Sequence, residues 1–164
     1  MTDTLPEAIA SLIRNAASLP PGVHRFAGVQ VRIGSQAALT EEVQQLTKVK
    51  DLALICAPEV VELIETGPGS AALITRWLSC ATGELLPAKS ASTPAKIGFA
   101  QDMKTLTRAG FLHAFAGNGL GSYLIASDTG AILLDDWGSA LRQASAGERN
   151  DNLSDIDAQL AKLR

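Results

Sequence analysis

The apolar residues of the first segment, Leu5, Ile9, Leu12, Ile13 and Ala16, recur at spacings of three and four, which puts them on one face of a helix from about Pro6 to Ser18. Thr4 is placed to cap it, and Pro20, Pro21 and Gly22 stop it by removing donors and restricting the preceding residues. The period then changes to two. Val29, Val31 and Ile33 point one way while Gln30 and Arg32 point the other, the pattern of a half-buried strand. Thr40 followed by Glu41 and Glu42 supplies a cap and negative charge for a short helix to about Lys48. Leu52 to Cys56 is a continuous apolar run that reads as a central strand. Ala57, Pro58 and Glu59 restart a helix, which Gly67, Pro68 and Gly69 end.

Ala71 to Leu78 fits neither period cleanly; the reading adopted is a strand, with two helical turns as the alternative. Ala81 to Gly83 turns it into a second strand through Leu85 and Leu86, and the Ser-, Ala-, Lys- and Pro-rich stretch from Pro87 to Lys96 reads as a solvated loop. A helix from about Gln101 to Arg108 follows. Gly121 to Ser127 and Ala131 to Asp135 form two strands joined by a hairpin turn at Asp128, Thr129 and Gly130. Trp137 to Ala144 and Leu153 to Leu163 read as two helices separated by a polar run.

Composition narrows the class. The 164 residues are 46% hydrophobic and 19% charged, the balance of a globular chain, and their length suits a single domain spanning residues 1–164. Aromatics make up only 4%, so Trp77, Trp137, Tyr123 and the four Phe mark buried or contact positions. A net charge of -3 without a basic cluster argues against nucleic acid. Cys56 and Cys80, in no metal-ligand spacing, read as free thiols of a reducing compartment, a disulfide between them being the alternative. The opening MTDTLPEAIA lacks the basic start and apolar core of a signal peptide, and no apolar run has membrane-spanning length; cytoplasmic placement is the expectation.

Few residues point to chemistry. Gly117, Asn118, Gly119, Leu120 and Gly121 resemble a phosphate-cradling loop, but such loops lie between a strand and a helix, and here a strand follows; a bend into the sheet is the expectation. Gly67 to Ser70 lacks the GxSxG of a nucleophile elbow. Asp135 and Asp136 could hold a divalent cation, but alternation sends strand neighbours to opposite faces, so one of them is expected to cap a helix beginning near Trp137. His24 and His113 have no second ligand or nucleophile nearby in sequence, and His113 in FLHAF reads as a satisfied core histidine. Trp77 and Trp137 read as core, a binding surface being the other reading. No catalytic residue, cofactor or metal site is assigned.

The segment from Ala109 to Trp137, AGFLHAFAGNGLGSYLIASDTGAILLDDW, resembles the signature hairpin of the SMI1/KNR4 (SUKH) superfamily. Phe115, Gly117, Gly119, Gly121, Tyr123, Asp128, Gly130 and Ile132 carry the resemblance, with a fainter echo in LPEAIASLIRNA; Ser122 departs from the Asp or Asn that the family often has. The resemblance implies an α+β fold with a mainly antiparallel sheet and packed helices. It also implies a non-enzymatic protein-binding module, among whose bacterial relatives are immunity proteins that neutralise a toxin. Tyr123, Asp128, Asp135, Asp136 and Trp137 are the expected contact residues, and a protein, in particular a toxin domain, is the expected partner. Two other classes stay open: a small α/β enzyme or ligand sensor with a pocket at the strand ends, and a homodimeric chaperone or structural subunit.

Overall fold

A computed structural model of the protein describes residues 7–80, 83–87, 91–114 and 123–164. The fold is α+β with antiparallel sheets and packed helices, as expected, and the described residues hold four α-helices. Helix α1 (Glu7–Asn15) leads into β1 (Gly22–Phe26) and β2 (Val29–Ser35), then α2 (Gln36–Val49), β3 (Glu59–Gly67) and β4 (Ser70–Arg76). These strands form one sheet in the order β1-β2-β4-β3, every pair antiparallel. β5 (Leu85–Pro87), α3 (Thr93–Arg108), β6 (Phe111–His113), β7 (Leu124–Ala126), β8 (Ile132–Leu133), β9 (Leu141–Gln143) and α4 (Ala146–Leu163) follow, giving a β5-β7-β8 sheet and a β6-β9 pair.

The two-residue period of β2 has a direct structural outcome. Val29, Val31 and Ile33 pack with Ile9 and Ala16 of the N-terminal helical segment and with Ala72 and Ile74 of β4. Gln30 is buried too, because the opposite face meets the rest of the molecule. β4 is buried from Ala71 to Thr75 since both its faces are covered, and its other side packs Ala71 and Leu73 against Leu39 of α2. That double coverage erases the alternation that would have made β4 legible as a strand. A second cluster gathers Leu46 and Val49 of α2, Met103 and Leu106 of α3, Ile156 and Leu160 of α4, and Trp137.

Several expectations are corrected. Residues 59–67 are strand β3, not a helix: Glu59, Glu62 and Glu65 repeat every three residues, a helical spacing, yet all three are exposed on an edge strand, where a register shift between Val60 and Glu62 puts Glu59 and Glu62 on one face and Glu65 projects from the other. Gly67, Pro68 and Gly69 therefore make a hairpin turn, with Gly69 at φ 69°. Residues 52–56 form no strand; a 3-10 turn over Lys50–Leu52 and a left-handed Ala53 place Leu54 and Cys56 in the core from a connector. No helix begins near Trp137, because residues 141–143 pair with β6 instead.

The starts of α2, α3 and α4 come earlier than the apolar pattern indicates, and a serine hydroxyl caps each of the three. Ser35 accepts from the Ala38 amide, Ser92 from Ala95 and Ser145 from Glu148, so α2, α3 and α4 begin at 36, 93 and 146. The expected loop over 87–96 thus gives way to the first turn of α3, with residues 88–90 outside the described residues. β1 was not anticipated. The hairpin at Asp128 to Gly130 is present with Gly130 at φ 73°, but the glycine-rich bend at 117–121 lies outside the described residues. Cys56 and Cys80 are free and buried.

Candidate functional site

Two groups with shifted titration, Glu42 and His113, flank the place where β2, α2 and the turn after β8 meet. Arg32, projecting from the second face of β2, donates from Nη1 to Glu42 Oε2 at 2.7 Å. Its Nη2 donates to the backbone carbonyl of Asp135 at 3.0 Å. Glu42 reaches this point because it lies on the inward stripe of α2 with Leu39, Leu46 and Val49. Its side chain is 5% exposed, against 22% for Arg32.

Burial pushes the Glu42 carboxyl up to about 7. Arg32 and a hydrogen bond with the Trp137 backbone pull it down, while Asp136 and Asp135 push it up. Desolvation therefore outweighs the ion pair, the usual balance when an ion pair leaves water. Asp135 is itself held by Arg25 of β1, Nη2 to Oδ2 at 3.2 Å, and Arg25 is steadied by Gln30 at 3.1 Å.

The opposite wall is His113. Its Nε2 lies 2.5 Å from the carbonyl of Asp136, and its ring stands roughly perpendicular to the Trp137 ring with centroids 4.8 Å apart. That bond places a proton on Nε2, since a carbonyl can only accept. Burial lowers the His113 pKa, with Asp136 and Asp135 opposing. Trp137 is fully buried, and its Nε1 donates to the Leu134 carbonyl at 2.9 Å. Next to it, Gly138 lies against Glu42: a Cβ there would stand 3.4 Å from the Glu42 Cβ. Gln45, one turn along α2, donates to the carbonyls of Gly138 at 3.5 Å and Leu141 at 3.3 Å. The turn Asp136-Trp137-Gly138 is thus clasped between α2 and His113.

The expected contact residues separate. Asp135, Asp136 and Trp137 come together in this clasp, the two aspartates half-buried. The Asp135 carboxylate meets Arg25 and caps no helix. Tyr123 is buried and tilted against Phe99 with ring centroids 5.2 Å apart. Asp128 is exposed in the β7–β8 turn, where its carboxylate accepts from the amides of Gly83 at 3.1 Å and Thr129 at 3.0 Å. His24 lies elsewhere, 2.7 Å from the Pro20 carbonyl. Trp77 is core, donating to the Cys56 carbonyl at 3.2 Å. Among the described residues, no group of three His, Cys, Asp or Glu is placed to hold a metal ion, and no helix is long and apolar enough to cross a membrane.

Sequence reasoning missed Arg25, Arg32, Glu42 and Gln45. The available signal was Arg32 as a lone cation inside an apolar alternation, together with a buried-face glutamate ten residues on. Nothing local ties either to Asp135, which follows Arg32 by 103 residues.

No protein-family model matches the chain, and no curated protein matches it. Among solved structures, the chain is similar to the kinase PK-1 of the Cydia pomonella granulovirus, with a TM-score of 0.49 and 12% identity. The similarity covers 84% of this chain and 60% of that one, so the chain spans less than two thirds of that kinase.

Proposed function

We propose that the protein is a non-enzymatic protein-binding module whose frame is that of a phosphoryl-transfer site with its catalytic chemistry removed. The observation that carries this reading is the clasp: a strand cation paired with a helix glutamate, set against an Asp-aromatic-Gly turn whose aspartate carbonyl meets a histidine. Protein kinases use a strand lysine, a helix glutamate, a His-x-Asp loop and an Asp-Phe-Gly turn for nucleotide binding and phosphoryl transfer. Arg32, Glu42, His113 and Asp136-Trp137-Gly138 supply counterparts by type and by mutual contact.

The groups that would do the chemistry differ. Two residues after His113, where the kinase loop carries its catalytic aspartate, stands Phe115, which cannot accept a proton. The β1–β2 turn is Phe26-Ala27-Gly28-Val29, without the glycine-rich phosphate loop. Arg32 is engaged by Glu42 and the Asp135 carbonyl together. A frame that keeps its clasp and lacks its base acts through what binds it. The partner is a protein, and a toxin domain is the partner class that the hairpin resemblance implies.

The test is a pair of measurements on the full chain. Incubation with radiolabelled ATP, Mg2+ or Mn2+ and casein should give incorporation at the level of the blank, for the wild type and for Asp136→Ala alike. Affinity purification from the native cells should yield one stoichiometric protein. Transfer that Asp136→Ala abolishes would establish an enzyme instead, and a co-purifying metabolite without protein would establish a ligand sensor.

A further inference from the structure

Helix α2 has a second face. Behind the clasp, Val43, Leu46, Thr47 and Lys50 form a stripe at three- and four-residue spacing along one side of a groove of about 690 Å3. Pro58 and Val60, at the start of β3, stand among the residues lining it. Ile55 and Leu78 also contribute to it, 52% and 70% exposed, two of the few large apolar side chains that the described residues leave in water. The volume lies in the range of small-molecule sites, about 300–1,000 Å3.

The polar groups around the groove define what it can take. Thr47 spends its hydroxyl on the Val43 carbonyl at 2.7 Å, and Ser79 spends its own on the Ile55 carbonyl at 3.2 Å. Glu59 is paired with Arg76 across the β3–β4 ladder at 2.9 Å. Lys50 is exposed, and among the described residues its ammonium makes no hydrogen bond or ion pair. One unpaired cation beside an apolar trough calls for an apolar body with one anionic end. From Lys50 to Val43 the helix rises about 10 Å, the reach of a medium-length acyl chain. We propose that this groove binds a free linear aliphatic carboxylate, with its head on Lys50 and its chain between α2 and the start of β3.

The probe is 11-(dansylamino)undecanoic acid, whose fluorescence rises on entering an apolar site, titrated into the full chain. The expected result is a saturable one-to-one enhancement, displaced by laurate and not by dodecyltrimethylammonium, which has the same chain with a cationic head. Lys50→Glu should weaken binding about tenfold, with Lys50→Arg close to the wild type. Thr47→Trp, at an exposed helix position, should fill the trough and abolish the signal while thermal melts show the fold intact. Lys162→Glu, on α4, should change nothing. The proposal fails if there is no saturable enhancement, if the cationic amphiphile competes equally, or if binding survives Lys50→Glu and Thr47→Trp. It fails as well if Lys162→Glu weakens binding, since the ligand would then sit by α4.

Discussion

Glu42 holds a proton more tightly in the fold than in the unfolded chain, since burial takes its carboxyl from an ordinary 4.5 to about 7. The stability this confers is complete below about pH 4.5 and is lost as pH rises through about 7. Glu42→Gln removes the titration, so the wild-type stability minus that of the variant should fall across that window, as read by urea unfolding at matched ionic strength. A flat difference would show that the carboxyl titrates normally. Arg32→Met sharpens the point. Near pH 6 the variant keeps a protonated Glu42 and should lose only about 1 kcal/mol, the worth of the bond to the Asp135 carbonyl. Above neutrality the deficit should grow by about 1.4 kcal/mol per pH unit, until the unpaired carboxyl ionises at its own higher pKa. Equal losses at pH 6 and pH 8.5 would refute this account.

Elements dock on one another through single close approaches as well as through apolar area. Gly83, just ahead of β5, lies against the β7–β8 turn so closely that a Cβ there would be 2.5 Å from Asp128 Oδ1 and 2.6 Å from the Asp128 backbone nitrogen. The side chain could swing away; the backbone could not without parting β5 from β7. Gly83→Ala should therefore cost about 2–3 kcal/mol, as overpacking does. Denaturant unfolding checks the magnitude, and a loss below 0.5 kcal/mol would mean the approach is looser than drawn. The turn has a second tie, from Thr129 Oγ1 to the Ser79 carbonyl at 2.7 Å. Asp128 was legible as part of a hairpin turn. Its role in receiving the Gly83 amide was not, because that partner is 45 residues away.

At the scale of the molecule, a buried node around Cys56 ties the segment that follows β4 to α3 and to the end of β8. The Cys56 amide donates to Asp102 of α3 at 2.8 Å, while its carbonyl accepts from Trp77 Nε1 and from the Leu134 amide at 2.9 Å. Burial raises the Asp102 carboxyl, with the Cys56 amide and thiol opposing. Asp102→Ala strands the Cys56 amide and should cost about 1–3 kcal/mol, whereas Asp102→Asn keeps an acceptor oxygen and should cost less. Near-equal losses for the two would assign the effect to the carboxylate itself and not to the stranded amide. Native-state hydrogen exchange gives an independent reading: the Cys56 amide should be among the slow exchangers in the wild type and fast in Asp102→Ala.

Sequence alone determined what rests on local periodicity and local chemistry. The α1 stripe, the two-residue alternation of β2, the stop at Pro20-Pro21-Gly22 and the Asp-Thr-Gly hairpin needed only neighbours within a few residues. Tertiary structure decided the rest. It made residues 59–67 a strand, because the edge of the sheet leaves glutamates at helical spacing in water, Glu59 and Glu62 on one face and Glu65 on the other. It buried both faces of β4 and so removed the alternation that would have identified it. It also assembled the clasp, whose members come from β2, α2, the neighbourhood of β6 and the turn after β8. A desolvated charge such as Glu42 looks in sequence like any other helix glutamate, because its pKa is set by the chain that folds over it.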